Sequence, residues 1–227
     1  MNRHINIVRI KAVADALKDI KDLVVFVGGA TVELYADKTI AIESRPTDDV
    51  DVIIELASYG GYSQLDKTLR KIGFVNDVES GVICRYRIQG IIVDVMPTDH
   101  KVIGFSNRWY SEGFKNAISY ALDNGVEIKI FSLPYFIASK IEAFRSRGKN
   151  GYRTSKDFED IVYIFDTNSG IADELMSVRE LREYFKDEFG RMLNDPYLGE
   201  GIFCHLGPPS AEERTKYIID QLKRCLY

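Results

Sequence analysis

Leu23-Val24-Val25-Phe26-Val27-Gly28-Gly29 is the stretch on which the fold turns. Five apolar residues in a row, halted by paired glycines, mark a buried strand that runs into a tight turn. Val50 to Leu56 is a second strand, entered through Asp49-Val50-Asp51. Between the two, Thr31 to Asp37 reads as a short helix leaving the glycine turn. Ser44-Arg45-Pro46-Thr47 reads as loop, because proline and small polar residues break both periodicities. Upstream, Val8, Val13, Leu17 and Ile20 fall near helical spacing, which predicts an amphipathic helix over the first twenty residues. Downstream, Leu65, Leu69 and Ile72 share one face of a helix over 63–72. Strands over 82–88 and 91–96 are joined by Gln89-Gly90, a hairpin signal, and the alternating run 126–131 is the last strand expected. After Ser132 the pattern is helical, over 133–147, 155–166, 172–189 and 211–226. The breaks fall at Gly148-Lys149-Asn150-Gly151 and Gly207-Pro208-Pro209, and Ser210 with Glu213 fits a capping box. The expectation is an α+β fold. A mixed, twisted sheet with helices on it occupies residues 1–131, and a helical half over 132–227 closes a cleft.

The 227 residues carry 34 acidic and 30 basic side chains, a net charge of −4, with 45% hydrophobic and 28% charged residues. This is the composition of an ordinary globular protein with a sizeable core. No apolar run approaches the roughly 20 residues needed to cross a bilayer, and the N-terminal stretch lacks the unbroken apolar region of a secretion signal. Cys84, Cys204 and Cys225 are an odd set without a CxxC, so neither a disulfide framework nor a cysteine-rich zinc site is expected. A reducing cytoplasm fits that usage. The acidic balance excludes a generic basic coat for nucleic acid but leaves room for a local basic patch.

Chemistry is carried by three pieces in order: Gly28-Gly29 after a strand, Asp49 and Asp51 at a strand entry, and Asp94 within a strand. Strand side chains alternate, so Asp49 and Asp51 point the same way. Neighbouring carboxylates repel unless a cation lies between them. Asp94 is flanked by Ile91, Ile92, Val93, Val95 and Met96, where a carboxylate must be paired, exposed or bound to metal. Three such groups suit one or two Mg²⁺ ions, which prefer oxygen ligands and can clamp the attacking and leaving oxygens of a phosphoryl displacement. The glycine turn would let backbone N–H groups approach a phosphate. Taken singly, the pieces also fit a tight turn, a solvated strand start and an exposed sheet face; their order points to a site.

This ordered set resembles the nucleotidyltransferase superfamily that includes the polymerase-β-like enzymes, and more narrowly its AbiEii-type abortive-infection toxins. Their Arg-x-Thr-x-Asp-x-Asp run is matched by Arg45-Pro46-Thr47-Asp48-Asp49-Val50-Asp51. Their helical lysine with a nearby arginine, followed by Lys-Asp-x-x-Asp, is matched by Lys140 with Arg145 or Arg147 and then Lys156-Asp157-Phe158-Glu159-Asp160. The likeness runs from residue 23 to about 165. It implies transfer of a nucleoside monophosphate from an NTP, with Asp49, Asp51 and Asp94 as catalytic and metal-binding residues for Mg²⁺. Gly28, Gly29, Thr31, Arg45 and Lys140 would bind the nucleotide. Many relatives have Gly-Ser where this chain has Gly28-Gly29, so a hydroxyl is missing unless Thr31 supplies one. It also implies an acceptor such as tRNA or another RNA, and a toxin held in check by an antitoxin.

Lys140 has support from spacing as well, lying four residues from both Phe136 and Phe144 on an apolar stripe. There a lysine must snorkel to water, find a counter-charge or serve a site. Asp157 follows Thr154 by three, a helix-capping pattern, and Asp160 could orient Lys140 or an arginine. The basic stretch Arg145, Arg147, Lys149, Arg153 and Lys156 could guide RNA or simply be solvated. Cys204-His205, His4 and His100 lack metal-ligand spacing, and Trp109-Tyr110 could stack on a base or belong to the core. The net charge leaves a small-molecule acceptor as an alternative, and a non-catalytic binding module on the same fold as another.

Overall fold

Helix α1 (Arg3–Leu17) buries Asn6, Ile10, Val13, Ala14 and Leu17, spaced so that they share one face. Val8, expected there, is 57% exposed. Ile20 belongs to a 3-10 turn (Lys18–Leu23) that leads into β1 (Val24–Val27). All four β1 residues are buried, so both of its faces are covered, which explains the unbroken apolar run. Next come β2 (Asp49–Ile54), α2 (Tyr59–Lys71), β3 (Val75–Asn76), β4 (Arg85–Ile88) and β5 (Ile91–Pro97). After them come α3 (His100–Ile103), α4 (Tyr110–Lys115), β6 (Ile118–Ala121) and β7 (Glu127–Ile130).

The computed structural model describes residues 3–39, 42–56, 58–104, 106–123, 125–147 and 151–227. These residues form two compact units, Met1–Thr31 with Glu43–Tyr135, and Val32–Ile42 with Phe136–Tyr227. The first unit holds a seven-stranded sheet in the order β3-β4-β5-β2-β1-β7-β6. The pairs β1/β7 and β2/β5 are parallel and the others antiparallel, so the sheet is mixed, as the α+β expectation required. The β4–β5 hairpin turns at Gln89 (φ +51°) and Gly90 (φ +80°), the double positive φ of a type I′ turn. The strand before it begins at Arg85 rather than Val82, and Val82 and Ile83 are exposed. β3 and β6 have no counterpart in the sequence reading.

The second unit is helical: α5 (Leu133–Arg147), α6 (Gly151–Thr154), α7 (Lys156–Thr167), α8 (Ile171–Ser177), α9 (Arg179–Leu193), α10 (Leu198–His205) and α11 (Ala211–Arg224). The single helix expected over 172–189 is two, parted by an extended Val178 (φ −88°, ψ 104°). α10 was not anticipated, and Ser210 has φ +64° with no side-chain cap bond, so the expected capping box does not form. The segment after the glycine turn begins as a 3-10 helix (Gly29–Tyr35) rather than at Thr31. Residues 32–39 and Ile42 are stitched to this helical unit. The Tyr35 ring lies 4.6 Å from Phe136, Asp37 N–H donates to the Thr167 carbonyl at 2.8 Å, and Tyr163 donates to the Ile42 carbonyl at 3.0 Å. No helix among the described residues is long and apolar enough to cross a membrane.

Of the three thiols, Cys84 and Cys225 are buried and Cys204 is exposed. Burial, with Asp94 nearby, pushes Cys84 up to about 11, and burial pushes Cys225 up to about 12. A thiol reagent at pH 8 should therefore modify one cysteine of the native protein at once and the other two only after unfolding. The folded thiols keep protons that unfolded ones release around 9.0. Stability should accordingly fall as pH rises from 9.0 toward 11.

Candidate active site

Parallel pairing of β2 with β5 sets Asp51 directly opposite Asp94, with Asp49 opposite Ile92. Because strand side chains alternate, Asp49 and Asp51 share the face on which Asp94 lies. The three carboxylates each offer an oxygen within 4.8 Å of the others. Asp94 is buried, and Asp49 and Asp51 are half-buried. Hard oxygen donors so clustered fit a divalent cation such as Mg²⁺. Among the described residues no other group of three His, Cys, Asp or Glu side chains is placed to hold a metal ion.

The glycine turn is shaped around this cluster. Gly28 has φ +75°, and a Cβ there would lie 1.9 Å from Asp51 Oδ2, so neither the backbone nor the space admits a side chain. A Cβ at Gly29 would meet Arg45 Nη2 at 2.6 Å and Thr47 Cγ2 at 3.0 Å. The guanidinium of Arg45 thus occupies the place that a serine side chain would need. Thr31 is fully buried, and its hydroxyl donates to the Gly28 carbonyl at 3.0 Å, tying the turn from within.

The loop carrying Arg45 is held by Asn6, a polar residue on the buried stripe of α1 that the sequence reading passed over. Its Nδ2 donates to the Arg45 carbonyl at 3.0 Å, and its Oδ1 accepts from Thr47 N–H at 3.0 Å and Thr47 Oγ1 at 3.2 Å. Thr47 Oγ1 also lies 2.9 Å from the Asp49 carbonyl. Fully buried and bonded at both ends of its amide, Asn6 fixes the chain from Arg45 to Asp49.

Arg85 is the second residue missed. It faces Asp94 across the β4–β5 ladder, and its Nε and Nη2 donate to Asp94 Oδ1 and Oδ2 at 2.8 and 2.7 Å. Nη2 also lies 3.5 Å from Asp49 Oδ2. The hydrogen bonds that Arg85 donates to Asp94 hold the guanidinium charge more firmly than usual. The available signal was the alternation of Arg85-Tyr86-Arg87-Ile88 just before a hairpin, which puts Arg85 and Arg87 on one face.

In the helical unit, Lys140 is buried in α5, and its Nζ reaches Asp160 Oδ2 at 2.6 Å and Asp157 Oδ1 at 3.3 Å. Arg147 Nη2 lies 3.1 Å from Asp157 Oδ2. The Lys-Asp-x-x-Asp run thus supplies the counter-charge Lys140 needs. Asp157 does not cap the helix: Ser155 does, its Oγ accepting from Phe158 N–H at 3.3 Å. Two of the other basic residues have partners of their own. Arg145 bonds Glu188 at 2.7 Å, and Arg153 pairs with Glu200; Lys149 lies outside the described residues. His205 Nε2 bonds the Tyr152 carbonyl at 2.7 Å, and Trp109 is buried with its ring 6.4 Å from that of Tyr135 at a steep angle.

Among solved structures the chain is similar to an antigenic nucleotidyltransferase-like protein from Paracoccidioides brasiliensis. The identity is 17%, over 83% of this chain and 93% of that one, with a TM-score of 0.49. No curated protein matches. Residues 12–214, a span that takes in the glycine turn, all three carboxylates and the Lys140 cluster, match the family "Nucleotidyl transferase AbiEii toxin, Type IV TA system", and the chain belongs to that family of nucleotidyltransferases.

Proposed function

We propose that the protein transfers a nucleoside monophosphate from an NTP to a hydroxyl of tRNA or another RNA, releasing pyrophosphate. The observation that carries this reading is the meeting of Asp49, Asp51 and Asp94 beside a turn only glycine can make. Asp49 and Asp51 would hold Mg²⁺, with Asp94 completing the set. When bound, Mg²⁺ supplies charge neutralisation at the phosphoryl group being transferred. The acceptor oxygen bonds to the α-phosphorus as the bond to the bridging oxygen breaks. Pyrophosphate leaves with that electron pair, and Asp94 takes the acceptor's proton. Arg45, set over Gly29, meets the triphosphate as a positive fork and stands in for the absent serine hydroxyl. Thr31 keeps the turn in shape, while Lys140, which the family pattern offers as a further triphosphate contact, is held by Asp160 and Asp157. An antitoxin would hold the activity in check in the cytoplasm.

The test is incubation with each α-labelled NTP, Mg²⁺ and total cellular RNA, beside an Asp49→Asn/Asp51→Asn double variant. Label should enter RNA from one preferred nucleotide with the wild type and not with the variant. Pyrophosphate release only when small metabolites are supplied would move the acceptor to a small molecule, which the net charge of −4 favours. Failure to bind any NTP with Mg²⁺ would remove the catalytic reading.

A further inference from the structure

Three carboxylates packed within 4.8 Å repel one another, and the fold answers with a charge of its own. The β4–β5 register places Arg85 opposite Asp94 whatever its side chain does. The side chain then closes both N–H···O bonds of a fork and extends one nitrogen toward Asp49. Such a two-point, charge-assisted contact has to be broken at both bonds before the carboxylate is fully released. An ordinary cross-strand ion pair would stop at its partner, whereas this guanidinium reaches a second member of the cluster. Arg85 offsets part of the negative charge that the cluster would otherwise offer to cations. Each Asp94 oxygen keeps one lone pair for a ligand, so the carboxylate stays aimed at the centre while its pull on cations is weakened.

We propose that Arg85 is a resident counter-charge that limits the Asp49–Asp51–Asp94 cluster to one divalent cation when no nucleotide is bound, and that orients Asp94 toward the centre. The inference rests on reading the cluster as a metal site. A second cation would then enter only with the triphosphate, which brings the negative charge to hold it. Arg85 acts through Asp94 and is a positioning residue.

The test is titration of the full chain with Mn²⁺ in the absence of nucleotide, read by the free-ion EPR signal and by calorimetry. It uses the wild type, Arg85→Gln and Arg85→Lys. One Mn²⁺ per wild-type chain is expected. Arg85→Gln should bind the first ion about tenfold more tightly and take up a second. Arg85→Lys, which keeps the charge but loses the fork, should stay at one ion with near wild-type affinity. Equal or weaker binding by Arg85→Gln at unchanged stoichiometry overturns the inference while leaving the metal site standing. Should Arg85→Gln not fold, the wild type decides, because two ions per chain without nucleotide overturns the proposal and one supports it. No Mn²⁺ binding by any of the three removes the metal site itself, and the role of Arg85 with it.

Discussion

Asp51→Asn is expected to abolish nucleotide transfer, by about 10³-fold or more, while raising the melting temperature of the metal-free protein. The two effects have one source. Asp51 lies at the join of the cluster, opposite Asp94 in the β2/β5 ladder and against Gly28. Asparagine has the same shape, so the close approach to Gly28 survives and the turn is not disturbed. What disappears is one of three like charges that the fold crowds together. Relieving that repulsion is worth about 1 kcal/mol at a solvent-accessible site, or about 2–4 °C for a protein of this size. Thermal melts in a chelator, paired with the label-transfer assay, read both quantities. Loss of activity together with a lower melting temperature would mean that the Asp51 carboxylate holds the fold together rather than the ligand.

Lys140→Met is expected to lower stability by about 3–5 kcal/mol. The ammonium is buried between Asp160, 1% exposed, and Asp157. Methionine fills the same space but leaves the Asp160 carboxylate in an apolar setting without that cation, and a buried charge stripped of its partner is among the most destabilising single changes. Asp157 keeps Arg147, so the damage centres on Asp160. The double variant Lys140→Met/Asp160→Leu should recover most of the loss, because it removes the pair rather than half of it. Urea denaturation of the two variants checks this; equal destabilisation by both would show that packing, not charge, is what the lysine contributes.

The parts of the fold that announce themselves in the sequence are those whose burial is one-sided or complete. β1 and β5 read as apolar runs because residues on both faces of each are buried, and α7 and α11 show helical spacing because one face of each is buried. The edge elements are silent for the converse reason. β3 has two residues, and β6 is largely exposed, so neither carries a burial pattern. The extended Val178 that parts α8 from α9 involves no proline or glycine, and nothing local marks it. Within the candidate site, the convergence of Asp49, Asp51 and Asp94 follows from alternation plus strand pairing, and that much was legible. Arg85 and Asn6 were not, because each acts through a register or a tertiary contact: Arg85 across a ladder, Asn6 between a helix and a loop 38 or more residues away. The role of Asp157 was misread by one residue, since Ser155 is the better cap and frees the carboxylate to face Lys140.

The parallel pairing of β2 with β5 has a consequence for the life of the chain on the ribosome. Parallel neighbours cannot be closed by a tight turn; the connection between them, here α2, β3 and β4, must be made first. Asp49 and Asp51 therefore emerge well before the strand that completes their cluster. Until Pro97 has left the exit tunnel and β5 has docked, the nascent polypeptide holds two carboxylates on an unfinished sheet edge and no assembled acidic centre. On the proposed mechanism, this member of a toxin family is chemically silent for the first part of its own synthesis, and its onset of action is timed by a folding event rather than by the first appearance of its acidic residues.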